Sequence, residues 1–117
     1  MKKDKFIILN LVKQLIVDID KYLINFPNKE IELKRKIRET AFNMLLDVYK
    51  ANSTNNLQKR ENIQESIIAQ IGYLDFLINL CYDKQIINGK KYLRFGDSLD
   101  YILKYSTGWL NQTKNRA

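Results

Sequence analysis

The chain has 117 residues and a net charge of +7, and 45% of its residues are hydrophobic. This size and composition are typical of one soluble globular domain that builds a core without disulfides. The chain contains no histidine, which excludes histidine-based acid–base and nucleophile chemistry. Its single cysteine, Cys81, excludes an internal disulfide and a cysteine zinc site, and its apolar neighbours predict a core residue. With no glycine-rich phosphate loop either, we expect a non-enzymatic protein without metal or cofactor.

The first predicted helix covers residues 5–25, where apolar residues recur at intervals of three and four. Pro27 ends this segment, because the residue before a proline is pushed out of the α region. Asn28 is the expected cap of the second helix, which extends to about Ala51. The predicted inward stripe of the first helix comprises Ile8, Val12, Leu15, Ile19, Tyr22 and Phe26.

The polar residues 52–56 predict the next turn, and a third helix then covers residues 57–85. The Asn88-Gly89 pair predicts a second turn between helices, because its flanks lack the alternation of a β-hairpin. A fourth helix covers residues 90–112, with Trp109 at the edge of its outer face. Its predicted inward residues are Tyr92, Phe95, Leu99, Leu103, Ser106 and Leu110. Four helices with short connections predict an all-α, antiparallel up-down-up-down four-helix bundle, one domain over residues 1–117.

Residues 66–82 of the third helix carry two apolar stripes instead of one. The first, formed by Ile67, Ile71, Leu74 and Ile78, is the expected core face. A helix that is apolar on nearly all sides is buried on several sides, and in so small a domain the second stripe is expected to meet another copy of the chain. The predicted oligomer interface comprises Tyr73, Phe76 and Leu80 on this helix, Phe42 and Tyr49 on the second, and Tyr101 and Tyr105 on the fourth.

Positive charge is concentrated at both ends of the predicted bundle, and the middle is close to neutral. Many of these charges can pair within their helices, as Glu30 can with Lys34, so a solvated surface is one interpretation. Six basic residues lack such a pairing pattern and are candidates for phosphate contacts: Arg38, Lys59, Arg60, Lys90, Lys91 and Arg94. In a symmetric oligomer they would form a basic rim that binds a polyanion in a salt-dependent way with weak sequence specificity.

Basic and aromatic residues share an outer face of the fourth helix, where Arg94 precedes Tyr101 and Tyr105. Such a face can stack on bases and contact phosphates, or it can fill a subunit interface, and we favour the interface. No uncharged run is long enough to span a membrane. The N-terminus begins like a signal peptide but lacks a small-residue cleavage site, so we expect a cytoplasmic protein.

Several short motifs, spread over about residues 15–112, occur together in one known family. They are Tyr22…Phe26-Pro27, Leu33…Ile37-Arg38, Ala51-Asn52, Leu74…Leu77…Leu80, Tyr92 and Gly108-Trp109-Leu110. In these motifs the chain resembles the four-helix-bundle superfamily that includes the accessory variability determinant of diversity-generating retroelements. The superfamily also includes the proteins encoded by intervening sequences in bacterial large-subunit rRNA genes. Residues 43–48 lack the Ile-Pro segment of the rRNA-associated branch, which favours the retroelement branch. Residues 101–109 lack a glycine and an arginine that the family's last helix commonly carries.

The resemblance implies a homopentameric ring with a basic surface and a central channel, which binds RNA or DNA and a partner reverse transcriptase. Arg38 matches the arginine of the family's Ile-Arg pattern, and Lys59 and Arg60 fall where retroelement members often carry basic residues. The leading hypothesis is a nucleic-acid-binding accessory protein. The alternatives are an rRNA intervening-sequence-type protein and a protein-interaction scaffold whose basic charge is only solvated surface.

Overall fold

The computed structural model describes residues 3–116, with side chains from residue 7 onward, and no strand occurs in this part of the chain. Helix α1 covers Lys3–Tyr22, α2 covers Ile31–Ser53, α3 covers Leu57–Asp83 and α4 covers Gly89–Arg116. A short 3-10 helix, Asn28–Glu30, precedes α2. None of these helices is at once long and apolar enough to cross a membrane.

The four helices enclose one apolar core, because each contacts the next along the chain and α4 also contacts α1. The predicted all-α four-helix arrangement is thereby confirmed. The core stripe predicted on α3 is also correct, since Ile67, Ile71, Leu74 and Ile78 are all buried. Cys81 is fully buried among them, as its apolar neighbours predicted.

The first helix ends at Tyr22, three residues earlier than predicted. Residues 23–25 form a turn, and Leu23 and Phe26 are buried there. The prediction that Asn28 caps the second helix is wrong, because Asn28 lies in the 3-10 helix and α2 begins three residues later without a side-chain cap. The Glu30 N–H instead donates to the Pro27 carbonyl at 3.0 Å, so a backbone turn replaces the cap.

The two remaining connections follow their predicted turn chemistry. The Asn56 side chain accepts a hydrogen bond from the Lys59 N–H at 3.0 Å and caps α3. Asn88 does the same for α4 through the Lys91 N–H at 2.9 Å. Both bonds satisfy a donor that a helix start leaves without an intrahelical partner. Asparagine therefore marks the beginning of each of these two helices.

The end of α3 is closed by a Schellman motif in which Gln85 has a φ of 63°. The Ile86 N–H donates to the Cys81 carbonyl at 2.8 Å, and the Gln85 N–H donates to the Tyr82 carbonyl at 3.0 Å. This left-handed position is usually occupied by glycine, because a β-carbon makes it strained. Gln85 is the one non-glycine residue with positive φ in the described chain.

The predicted inward face of α4 is largely correct, because Phe95, Leu99, Ser106 and Leu110 are buried, but two residues differ from the prediction. Leu103, predicted to point inward, is 40% exposed, whereas Ile102 is fully buried. Trp109, predicted at the edge of the outer face, is only 3% exposed. The apolar residues of this helix form two overlapping stripes, and packing buries the one that contains the large indole. Helix α4 also continues beyond the predicted residue 112, and Thr113 is buried in its last turns.

Candidate nucleic-acid interface

Three cationic side chains surround the ring of Tyr22, where α1 ends and α4 begins. The Lys21 ammonium lies 5.2 Å from the ring centroid, the Lys91 ammonium 5.7 Å, and the Arg94 guanidinium 5.0 Å. Phe95 packs against the same ring in an edge-to-face contact, with centroids 6.2 Å apart and planes at 89°. We call these four residues, Tyr22, Lys21, Lys91 and Arg94, the Tyr22 cluster. Its geometry brings cations from two helices onto one aromatic surface.

The acidic group nearest to this cluster is Asp18, whose side chain is 6% exposed. One of its oxygens lies 3.7 Å from Arg94 Nε, and the other accepts a hydrogen bond from the Gln14 amide at 3.1 Å. Asp18 therefore anchors Arg94 against α1 and partly offsets its charge. The Lys21 and Lys91 ammonium groups have no such carboxylate partner among the described ion pairs, and exposed Lys90 lies beside them on α4. The site as a whole keeps an excess of positive charge.

Arg38 occupies a different surface, between α1 and α2. Its guanidinium donates to Asp20 at 2.9 and 3.5 Å and lies 5.5 Å from the Phe42 ring centroid. The hydrogen bond that Arg38 donates to Asp20, and then the charge of Asp20, raise the pKa of Arg38. No acid lies three or four residues from Arg38 in the sequence, and its partner lies eighteen residues earlier, on another helix. A phosphate that contacts Arg38 would have to compete with this carboxylate.

Lys59 and Arg60 lie at the connection between α2 and α3, away from the Tyr22 cluster. The Arg60 guanidinium donates to the Ala51 carbonyl at 3.1 Å and to the Thr54 carbonyl at 2.6 Å. These bonds satisfy carbonyls that the end of α2 leaves without intrahelical partners. Lys59 is exposed and lies with Lys50 in a shallow cleft. The basic residues predicted beside them at this end, Lys2, Lys3 and Lys5, lie outside the residues whose side chains the structure describes.

The six predicted phosphate-binding residues thus separate into three groups. Lys90, Lys91 and Arg94 come together at the start of α4, Arg38 is paired with α1, and Lys59 and Arg60 lie at the α2–α3 connection. Sequence reasoning missed Lys21, which it treated only as part of the charge at that end, and the role of Tyr22, which it assigned to the core. The signal for both is that the pair Lys21-Tyr22 ends α1 and that Lys91 lies in the first turn of α4.

The predicted interface residues also lie on separate surfaces. Phe42 and Tyr49 are about half exposed on the α1–α2 side, where the Lys13 ammonium lies 5.9 Å from the Tyr49 ring centroid. Exposed Val17 and Leu46 extend this apolar surface, although they were not predicted. On the α1–α4 side, Tyr101 is 57% exposed.

The second apolar stripe of α3 is exposed at two of its three predicted interface residues. Tyr73 is 45% and Phe76 is 54% exposed within one chain. Leu80, like Tyr105 on α4, is half-buried and packs against the core. The stripe is therefore left uncovered by its own bundle at Tyr73 and Phe76, which is the condition that the predicted assembly requires.

The α3–α4 connection contains a second aromatic feature that the sequence analysis did not identify. The Tyr82 and Tyr92 rings are stacked, with centroids 4.4 Å apart and planes at 16°. Tyr82 borders an open cleft of about 740 Å³ at this connection. The cleft is lined by Tyr82, Asp83, Gln85, Ile86, Ile87, Asn88 and Lys91. Lys91 belongs both to this cleft and to the Tyr22 cluster, so the two are contiguous.

Metal-ligating clusters and reactive thiols are the remaining candidate sites among the described residues. No group of three cysteine, aspartate or glutamate side chains there could hold a metal ion. Burial and, to a smaller extent, the charge of Glu30 raise the pKa of the Cys81 thiol to about 11. Because the thiolate is the reactive form, this thiol is a poor nucleophile at neutral pH.

Comparison with known proteins adds no relative: no protein-family model, curated protein or solved structure matches the chain.

Proposed function

We propose that this chain is a non-enzymatic, oligomeric nucleic-acid-binding accessory protein of the kind found with diversity-generating retroelements. The observation that carries the proposal is the Tyr22 cluster, in which cations from α1 and α4 share one aromatic surface. Cationic side chains beside aromatic rings are the combination that binds phosphates and bases without strict sequence preference. RNA and DNA are both candidate ligands, and a reverse transcriptase is the candidate protein partner that the family resemblance suggests.

The topology proposed for the bundle is antiparallel, up-down-up-down. The order of contacts between α1 and α2 supports it, since Lys13 lies over Tyr49 while the later residue Asp20 pairs with the earlier residue Arg38. The α2–α3 contacts follow the same rule, because Arg60 near the start of α3 donates to the Ala51 carbonyl at the end of α2, while the later Gln70 donates to the earlier Asp47. This topology also agrees with the family resemblance, which we retain as part of the proposal.

Oligomer formation is supported by the exposed apolar side chains on α2 and α3. Phe42, Tyr49, Tyr73 and Phe76 are each about half exposed, and large exposed aromatic residues are typical of interfaces. The pentamer itself comes from the resemblance. An assembly would repeat the Tyr22 cluster around a symmetry axis and so strengthen binding to a long polyanion. Light scattering on the purified protein measures the number of copies, and a monomer at all concentrations would contradict the assembly.

A second candidate function is a protein-interaction scaffold, and the α1–α2 surface favours it. Val17, Phe42, Leu46 and Tyr49 form an exposed apolar surface on which the one nearby arginine, Arg38, is already paired. On this alternative the basic charge only maintains solubility. An rRNA intervening-sequence-type protein is a third candidate, which the genomic neighbourhood would distinguish.

The direct test is binding to single-stranded and double-stranded RNA and DNA, measured by fluorescence anisotropy at several salt concentrations. We expect binding at low salt that weakens steadily as salt rises, because phosphate contacts release counterions. Absence of binding at low salt, or binding that salt does not weaken, would reject the nucleic-acid function and favour the scaffold.

Two charge-reversal variants locate the binding surface. In the first, Lys90→Glu and Lys91→Glu reverse two charges beside Tyr22; in the matched control, Lys50→Glu and Lys59→Glu make the same change in net charge at the α2–α3 connection. We expect the first to weaken binding by about tenfold or more, since each reversal removes a charged contact, and the control to weaken it much less. Equal losses would mean that net charge alone matters and that the Tyr22 cluster is not the site.

A further inference from the structure

The stacked pair at the α3–α4 connection has the properties of a base-stacking platform. Tyr92 is half-buried and packs against the core, so one face of Tyr82 is supported by an anchored ring. Tyr82 itself is 44% exposed and borders the open cleft. A ring that is already held in place loses little conformational freedom when it binds a second ring, which makes stacking on it more favourable.

The cleft next to this platform contains groups that can read a base edge. Gln85 and Asn88 both line it, and the side chain of each carries an amide. The Asn88 oxygen already accepts the Lys91 N–H, which leaves its amino group to donate. Gln85 lies at a position where glycine would be less strained, with a φ of 63°. Strain of this kind concentrates at functional sites, and a side chain that replaces glycine there places an amide in the cleft.

The path of a phosphate backbone beyond the cleft is indicated by charge. Asp83 is the one carboxylate among the residues that line the cleft, and Lys91 is the one cation. Lys91 also lies over the Tyr22 ring, 5.7 Å from its centroid, and the Arg94 guanidinium lies 5.0 Å from the same centroid. Phosphates would therefore leave the cleft toward Lys91 and Arg94 and away from Asp83. This path joins the platform to the Tyr22 cluster.

We propose that this cleft binds an unpaired nucleotide of single-stranded nucleic acid, with its base stacked on Tyr82 and its phosphate toward Lys91. The inference rests on the proposed nucleic-acid function and narrows it, because a base within a duplex shows only its edges, whereas a single strand can offer a base face. Each component has its own role: Tyr82 stacks, Gln85 and Asn88 hydrogen-bond the base, and Lys91 contacts the phosphate. Base and phosphate are common to RNA and DNA, so both belong in the test.

The test compares three proteins: the unsubstituted chain, Tyr82→Leu, and the matched control Tyr82→Phe, which removes the hydroxyl and keeps the ring. Fluorescence anisotropy at fixed salt measures binding to a short pyrimidine strand, as RNA and as DNA, and to the duplex of each. Circular dichroism confirms that every variant remains helical.

We expect the unsubstituted chain to bind single strands more tightly than duplexes. Tyr82→Leu should weaken single-strand binding by about 5- to 100-fold while leaving duplex binding unchanged, since one stacked base is lost. Tyr82→Phe keeps the ring and should bind within about twofold of the unsubstituted chain. In a second measurement, a strand that carries 5-iodouracil should crosslink under ultraviolet light to the peptide that contains Tyr82.

The outcomes separate this inference from the proposed function. If Tyr82→Leu binds single strands normally while Lys90→Glu/Lys91→Glu weakens binding, the stacking site is rejected and the nucleic-acid function remains. Crosslinks confined to other peptides would reject the site as well. If the unsubstituted chain binds none of the four probes in a salt-dependent way, both proposals fail together.

Discussion

Aromatic side chains lie at the surface around the start of α4 and in the core near its end. Near its start, cations and aromatic rings meet at the surface, where Lys91 and Arg94 lie over Tyr22 and Tyr82 borders an open cleft. Near its other end, Trp109 is 3% exposed in the core. Two arginines also differ. Arg94 lies over the Tyr22 ring, whereas Arg60 at the α2–α3 connection donates to backbone carbonyls.

This comparison shows that charge and aromatic content do not by themselves locate a binding surface. Both ends of the predicted bundle are basic in the sequence, yet among the described residues three cations lie over one aromatic ring only at Tyr22. An arginine that satisfies a helix end contributes to stability, and an ammonium at the surface remains able to contact a phosphate. The predictions below test whether the two regions differ as the structure indicates.

The largest expected effect concerns the buried indole. Trp109→Ala should lower the free energy of unfolding by about 3–5 kcal/mol, because it removes a large core side chain and leaves a cavity. The matched change at a surface aromatic is Tyr82→Ala, beside the start of α4. It should lower the free energy of unfolding by less than about 1 kcal/mol, since Tyr82 is 44% exposed. Urea denaturation measures both. Equal costs would remove the distinction between a core aromatic and a surface one.

The next effect separates two neighbouring cations. Arg60→Ala should lower the free energy of unfolding by about 1–2 kcal/mol, because the carbonyls of Ala51 and Thr54 lose a charged donor. Lys59→Ala should change it by less than about 0.5 kcal/mol, as is usual at exposed positions. Urea denaturation measures the free energy of unfolding of both variants. A loss in Lys59→Ala as large as in Arg60→Ala would contradict the structural role assigned to Arg60.

A stabilising change is expected in the core close to the α2–α3 connection. Gln64 is 1% exposed, and neither its amide nitrogen nor its oxygen has a hydrogen-bond partner. Gln64→Met keeps the shape and removes the buried polar groups, so the free energy of unfolding should rise by about 1 kcal/mol. The exposed residue Gln58 provides the control, and Gln58→Met should change little. A decrease in Gln64→Met would show that this amide is satisfied in solution.

The smallest effect tests the strained residue of the cleft. Gln85→Gly should raise the free energy of unfolding by about 0.5–1 kcal/mol, because glycine adopts a φ of 63° without strain. Lys84→Gly, one residue earlier with a φ of −83°, should lower it by a similar amount. If Gln85→Gly also weakens single-strand binding, the strain is retained for function. A loss of stability in Gln85→Gly would contradict the strain itself.

Much of the local structure could be predicted from the sequence. The periodicity of apolar residues located the four helices, and Asn56 and Asn88 marked the starts of α3 and α4. On α4 the prediction was correct for Phe95, Leu99, Ser106 and Leu110 but wrong for Leu103 and Trp109, because the apolar residues of this helix form overlapping stripes. It failed again at Asn28, because a 3-10 turn supplied the bond expected from a side-chain cap.

The candidate site was only partly predictable. Lys91 and Arg94 stood out because no acid shortly precedes them in the sequence, but their meeting with Tyr22 joins residues about seventy positions apart. The exposure of Tyr73 and Phe76 was predicted correctly from the doubly apolar pattern of α3. The stack of Tyr82 on Tyr92 was not, because neither residue departs from its local pattern and the contact forms across a turn.

The sequence by itself determined where the helices lie, how two of them begin and which face of α3 is buried, since these depend on residues within one or two turns of each other. Only the tertiary structure decided what each basic residue contacts. Asp20 pairs with Arg38 and the α2 carbonyls bind Arg60, whereas Lys91 and Arg94 meet on Tyr22. Each of these contacts joins separate elements, so it depends on how the helices rotate and pack against one another, which no local pattern specifies.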